Sequence, residues 1–143
     1  MIRMKNYKFF DHTADVLFEA YGKTLNELFK NSALALEETQ TNLKDIKQKE
    51  KRKINLKNKT VEMLLFDFLQ ELIYLKDAEY ILFSKFDIKI KKNKTFKLTA
   101  ILKGEKINTK KHELKVDVKA VTLHQFYVKK LKNIWKAHII LDI

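Results

Sequence analysis

Residues 61–75 read VEMLLFDFLQELIYL. Only Glu62, Asp67, Gln70 and Glu71 interrupt an otherwise apolar run. A helix with apolar side chains on most of its faces has no wet side, so it must be covered from several directions. Thr60 stands immediately before it, and a threonine there can accept a backbone N–H of the first turn. The stretch therefore predicts a helix over 61–76, enclosed between a second helix and a sheet. Both partners have to be found in the flanking sequence.

The second helix lies upstream. Thr24-Leu-Asn-Glu27 has the capping-box pattern, with a hydroxyl for the N–H three residues on and a glutamate that reaches back. Leu25, Leu28, Phe29, Ala33 and Leu36 follow at helical spacing, which predicts a helix over 25–38. Tyr7–Phe10 and Val16–Tyr21 are short β-like stretches, and Gly22 ends the second. Residues 39–50 are polar and read as a surface connection, followed by a strand through Ile54 and Leu56.

Downstream everything is strand-like. Residues 83–91 and 95–103 form a hairpin around Lys92-Asn93-Lys94, with Asn93 expected in the left-handed conformation. Gly104 opens a charged loop, 104–112. Leu114, Val116, Val118 and Ala120 alternate with Lys115, Asp117 and Lys119, the pattern of a half-buried strand. Residues 125–130 and 134–143 make a final pair. No internal repeat occurs. The expected class is α+β: two helices packed on a mainly antiparallel sheet, in one compact domain spanning 1–143.

Composition narrows the function. The chain has 143 residues, 45% of them hydrophobic, enough to bury a core without staples. It has no cysteine, which removes disulfides, thiolate zinc sites and a cysteine nucleophile. No apolar run is long enough to span a bilayer, and MIRMKNYKFF has no signal-peptide apolar region, so a cytoplasmic protein without membrane contact is expected. The net charge is +12, from 30 basic residues of which only Arg3 and Arg52 are arginine. Lysines in every segment read as a solubilising surface. The alternative is a lysine-rich RNA-binding module.

The chemistry on offer is acidic. DHTADV, residues 11–16, sets Asp11 and Asp15 around His12, Thr13 and Ala14. On the last strand Asp142 precedes Ile143, whose α-carboxylate is a second anion. Chain ends often lie close together. If these do, several carboxylates converge, and such a cluster needs a cation or a proton. Aspartate oxygens are hard ligands that favour Ca²⁺, Mg²⁺ or Mn²⁺. His12 is then a ligand or a donor that orients an aspartate. A plainer reading makes DHTADV a turn held by side chain to backbone bonds, and Asp142 a terminal charge. His12, His112, His124 and His138 match no zinc spacing, with His138 expected to lay its ring on the sheet. Ser32 and Ser84 lack an elbow motif, and two glycines, Gly22 and Gly104, make no phosphate cradle. A metal-dependent hydrolase using Asp11, Asp15 and His12 stays open.

The chain resembles the archease family along nearly its whole length. The resemblance runs through Phe10-Asp-His-Thr-Ala-Asp-Val16, Glu19-Ala-Tyr-Gly-Lys-Thr-Leu25 and Glu27-Leu-Phe29. It continues in Leu64-Leu-Phe-Asp-Phe-Leu-Gln-Glu-Leu72, Gly104-Glu105, Lys119-Ala-Val-Thr-Leu-His124 and Asp142-Ile143. It implies a compact α+β fold with no independent catalysis. It also implies an accessory role to the GTP-dependent ligase that joins transfer-RNA halves, helping that ligase take up guanylate and turn over repeatedly. Any RNA contact would be weak or made through the ligase. The resemblance further implies a divalent-metal site, typically calcium, built from DHTAD and the carboxyl terminus. Asp15 and Asp142 match it best, with Asp11 and the Ile143 carboxylate as partners. His12, Thr13, Lys119 and His124 lie in the matching motifs as supporting or partner-facing residues. Leu123 stands where the family often has tyrosine, Leu17 where it has a small residue, and the basic balance is not the family's.

Overall fold

The computed structural model describes residues 6–11 and 14–143. In chain order the elements are β1 (Tyr7–Phe10), β2 (Asp15–Gly22), α1 (Leu25–Gln40), a 3-10 turn (Leu43–Asp45) and β3 (Glu50–Asn58). Then follow α2 (Val61–Glu79), β4 (Ile81–Lys92), β5 (Phe96–Lys106), β6 (Ala120–Val121), β7 (Tyr127–Lys130) and β8 (Trp135–Asp142). Every strand pairing is antiparallel. The α+β class is as expected, but the strands divide into two sheets. One has the order β1-β2-β8-β6, with β7 also on β8, and the other is β3-β5-β4. Both helices contact strands of both sheets, so they form a layer between them.

This explains the apolar stretch. In α2, Leu64, Leu65, Phe68, Leu69 and Leu72 are all fully buried, and Phe68 stacks on Phe29 of α1 with ring centroids 6.1 Å apart. The expected caps are present. Thr24 Oγ1 accepts the Glu27 N–H at 3.1 Å, and Glu27 reaches back to the Lys23 N–H at 2.8 Å. Thr60 Oγ1 accepts the Met63 N–H at 3.2 Å. No helix among the described residues is long and apolar enough to cross a membrane.

The less expected feature is how the helices treat the strand edges. α1 is covered almost all round, and its polar residues Asn31, Ser32, Glu37, Thr39 and Gln40 are buried. A buried strand edge leaves N–H groups that must find acceptors. Helix side chains supply them. Glu37 Oε2 accepts the buried Phe83 N–H of β4 at 2.8 Å, and further along the same edge, where it reaches solvent, Asn26 Oδ1 accepts the Ile90 N–H at 3.0 Å. Gln40 Oε1 accepts the Val118 N–H at 3.4 Å, and Gln70 Oε1 accepts the Val121 N–H at 2.8 Å. From α2, Lys76 Nζ donates to Val118 O at 2.8 Å and to Asp117 Oδ1 at 2.5 Å.

Three expectations are corrected here. Residues 114–120 do not form a continuous strand. Only a bridge from Leu114 to Thr41 and the two residues of β6 pair. The rest of that segment is held by Gln40 and Lys76, so alternation was satisfied by helix side chains instead of a ladder. Asn93 is not left-handed; the turn closes through its N–H to Thr95 O at 2.9 Å. Gly104 opens no loop. It lies inside β5 opposite the irregularity at Phe83 and Lys85, where an added Cβ would meet Leu82 O and lie 2.6 Å from Phe83 Cα.

Glu37 has no exposed surface. Burial pushes its carboxyl up to about 8, against the pull of the Phe83 N–H, the Gln40 amide and Lys76. In the unfolded chain the same group ionises near pH ~4.3. The folded state thus holds a proton that the unfolded state has lost, and the stability this confers declines as pH rises from about 4.3 through about 8. Glu37→Gln keeps an acceptor for Phe83 and has nothing to titrate. Urea unfolding between pH ~5 and ~8 should show the variant losing less stability than the native chain; parallel profiles would refute the assignment.

Candidate functional site

The ladder between β2 and β8 sets the acidic residues. Its register pairs Leu17 with Ile140, Glu19 with His138, Tyr21 with Lys136 and Asp15 with Asp142. These odd positions of β2 and even positions of β8 lie on the sheet face away from the helices, since Phe18, Ala20, Ala137, Ile139 and Leu141 fill the core. Residues directly opposite in such a ladder have Cα atoms about 4.5–5.5 Å apart. Asp15 and Asp142 are therefore neighbours across the last rung. On the other side of Asp142 stands Ala120 of β6, and the Lys119 N–H donates to Asp142 O at 2.8 Å. Ile143 packs its side chain against the core, which anchors the end of the strand.

The other sequence-predicted residues divide around this pair. Asp11 is exposed just beyond β1, whose last pair is Phe10 with Leu17. Ala14 takes a left-handed backbone with φ 67°, a costly conformation for a residue with a Cβ, and it turns the chain into β2. His12 and Thr13 lie outside the described residues. His124 is exposed in the turn after β6, next to Gln125 with φ 54°. Lys119 acts through its backbone, with an exposed side chain. Among the described residues no three histidine, aspartate or glutamate side chains form a group able to hold an ion, so Asp11 does not complete the Asp15–Asp142 pair.

Sequence reasoning passed over Thr122. Its N–H donates to Ile140 O at 3.0 Å, two rungs inward from the acidic pair. Its Oγ1 is buried and has no hydrogen-bond partner among the described residues. An orphaned buried hydroxyl is unusual and favours a ligand or solvent group in that corner. The KAVT motif carried the residue, but nothing in it foretold the burial.

Further along the same face the charges are paired. Glu19 accepts from Lys136 Nζ at 2.9 Å and from Tyr21 OH at 2.9 Å. Burial raises the Glu19 carboxyl, but these two donors outweigh it and hold the group below its ordinary range. Burial and the adjacent Glu19 push the Tyr21 hydroxyl up to about 12. His138 lies on the sheet as expected, stacked on Tyr127 with centroids 5.0 Å apart, and its Nδ1 donates to Gln125 O at 2.8 Å.

A second cluster, around Glu105, is saturated. This buried carboxylate accepts from the Lys47 N–H at 3.1 Å, Lys111 Nζ at 2.6 Å and His112 Nε2 at 2.8 Å. His112 Nδ1 accepts the Asn108 N–H at 2.9 Å, so Nε2 bears the proton given to Glu105. Burial raises this carboxyl, but its donors hold it far below the usual range. With all its bonds made, the cluster ties the 106–112 loop to the start of β3.

Comparison with known proteins agrees with this architecture. The model of the Archease protein family matches residues 7–143. The chain is 41% identical to the protein archease of Methanothermobacter thermautotrophicus, with 98% of this chain and all of that protein covered. It is 38% identical to that of Pyrococcus abyssi over the same shares. A solution structure of Methanobacterium thermoautotrophicum protein 1598 superposes with a TM-score of 0.88 at 41% identity, covering 98% of this chain and all of that one. A crystal structure of an archease from Thermotoga maritima, called a possible chaperone, superposes at 0.64 with 22% identity and full coverage of both chains, and shows the shared fold.

Two carboxylates directly opposite in a ladder repel, by roughly 0.2–1 kcal/mol. Asp142→Asn should therefore raise the unfolding free energy by about that amount in chelator-treated buffer. Chemical denaturation measures it, and a loss of stability would show that the acidic pair is not mutually repulsive.

Proposed function

The chain belongs to the archease family, and from that premise we propose that it is a non-enzymatic accessory protein. Its client is the GTP-dependent RNA ligase of transfer-RNA splicing, in which it promotes guanylylation and repeated turnover. The observation that carries this reading is the rung that sets Asp15 opposite Asp142. The family's expected acidic site needs residues from both extremities of the chain, and the ladder brings those two together.

The same rung supports a divalent cation, calcium above the others, as the ligand. Two hard carboxylates on adjacent strands can share one ion, which removes their mutual repulsion. Asp15 and Asp142 would hold it, with the Ile143 carboxylate as a further oxygen source. The described side chains do not close a coordination sphere alone, so water or backbone oxygens must contribute. The ion would supply a fixed positive charge at an exposed sheet corner. The chain's own residues do the rest: Lys119 pins the strand end through its N–H, and Ile143 anchors it in the core. The location is proposed to be cytoplasmic.

Two measurements test this. In a multiple-turnover ligation assay, the protein should raise product beyond one turnover per ligase molecule. Asp15→Ala and Asp142→Ala should lose the effect while keeping their fold by circular dichroism. Undiminished stimulation by both variants would sink the acidic-site mechanism. Separately, calcium at about 100 times its dissociation constant should stabilise the protein by about 2.7 kcal/mol. A thermal shift seen in the native chain and absent in Asp142→Asn is the expected result.

A further inference from the structure

The outer face of the β3-β5-β4 sheet is a lysine surface. Ile54, Leu98, Ala100, Leu102, Phe86 and Ile88 face the core, so the intervening residues point outward. Register places Lys51, Lys103 and Lys85 side by side across the three strands. Six residues along β3, Lys57, Lys97 and Lys91 form a second row of the same kind. Lys53 and Lys89 lie between the rows, and Asp87 is the only acid on the face. Eight lysines against one aspartate carry more than half of the chain's net charge of +12. None of the eight forms an ion pair among the described residues.

Such an arrangement works against the fold. Like charges directly opposite in a ladder destabilise it. Lysine fills eight of the twelve outward positions of these strands, against 28 of 143 positions in the whole chain. Lysines that protect sheet edges belong on edge strands, yet Lys97 and Lys103 are on the central strand. The face of the other sheet shows the contrast, for there Lys136 is paired with Glu19. Between the two rows the short side chains of Thr99 and Ile101 leave a depression of about 480 Å³, flanked by Lys53, Lys89 and Asp87.

From this we infer that the outer face of the β3-β5-β4 sheet docks the phosphate backbone of double-helical RNA. Lysine contributes phosphate contacts that carry no sequence information, whereas lysine is depleted from protein–protein interfaces. No aromatic side chain projects from this face to stack on an unpaired base, as single-strand binding requires. A duplex also concentrates more charge per unit length than a single strand. The rows are about 20 Å apart along the strands and each spans about 10 Å across them, so one duplex can touch both. The choice of RNA rests on the ligase reading; the docking itself is tested without any ligase.

Fluorescence anisotropy with a labelled duplex RNA, at salt from about 50 to 200 mM, is the experiment. The native chain should bind, with affinity falling steeply as salt rises. The triple variant Lys57→Gln, Lys91→Gln, Lys97→Gln should bind at least tenfold more weakly at the lowest salt. Its slope of log affinity against log salt should be shallower by about 2 to 3. Its melting temperature should not drop, because the substitutions remove repulsion. Lys23→Gln, Lys30→Gln, Lys132→Gln, which removes the same charge from elsewhere, should leave the slope within about one unit of native. Absence of binding at low salt, equal loss in both triple variants, tighter binding of the single strand, or displacement of the duplex by polyglutamate at equal charge would each overturn the proposal. Ligase stimulation that survives the Lys57, Lys91 and Lys97 changes would leave the accessory role standing by itself.

Discussion

The antiparallel pairing of β2 with β8 is the constraint on which the rest depends. It zips residues 15–22 to residues 135–142 over eight rungs. Side chains alternate across a ladder, so a slip of one residue would turn Phe18, Ala20, Ile139 and Leu141 outward. All four are fully buried, which locks the register. With the register locked, Asp15 has to face Asp142, and β6 has to add to the far side of β8. The acidic corner is thus a by-product of core packing several residues away.

A second constraint concerns polar groups in an apolar setting. The helices are enclosed by two sheets, yet they carry Glu37, Gln40, Gln70 and Lys76 toward strand backbones. Each of these side chains meets an N–H or C=O that a missing neighbour strand has left over. Buried backbone groups without partners would cost more than the entropy of ordering a side chain. The helices therefore take the place of edge strands for β4 and for the segment before β6. That is why α1 tolerates so many buried polar residues.

Charge is distributed unequally over the two outward sheet faces. On the five-stranded sheet, Lys136 neutralises Glu19, which also accepts from the Tyr21 hydroxyl, and Asp15 and Asp142 stand together at one corner. On the three-stranded sheet the lysines stand unneutralised in rows. Charge is therefore unevenly spread, with Asp15 and Asp142 together at one end of the β2–β8 ladder and eight lysines on the outer face of the other sheet.

Much of this was legible in the sequence. Thr24 and Thr60 announced both helix starts, the apolar faces of 61–75 required enclosure, and the alternation in 83–103 announced the hairpin. Local hydrogen bonds and burial patterns set these features, and both are written in short windows. The archease motifs also pointed to Asp15 and Asp142 as partners. What the windows did not contain were contacts between distant segments. The division into two sheets, the left-handed Ala14, the orphaned Thr122 hydroxyl and the buried Glu37 all depend on which strand lies beside which. Lysines that looked scattered along the chain became two rows once β3, β5 and β4 were in register. The sequence determined where the chain would coil, extend and turn; only the tertiary structure decided which charges would be neighbours, because charge interactions follow distance in space and not order along the chain.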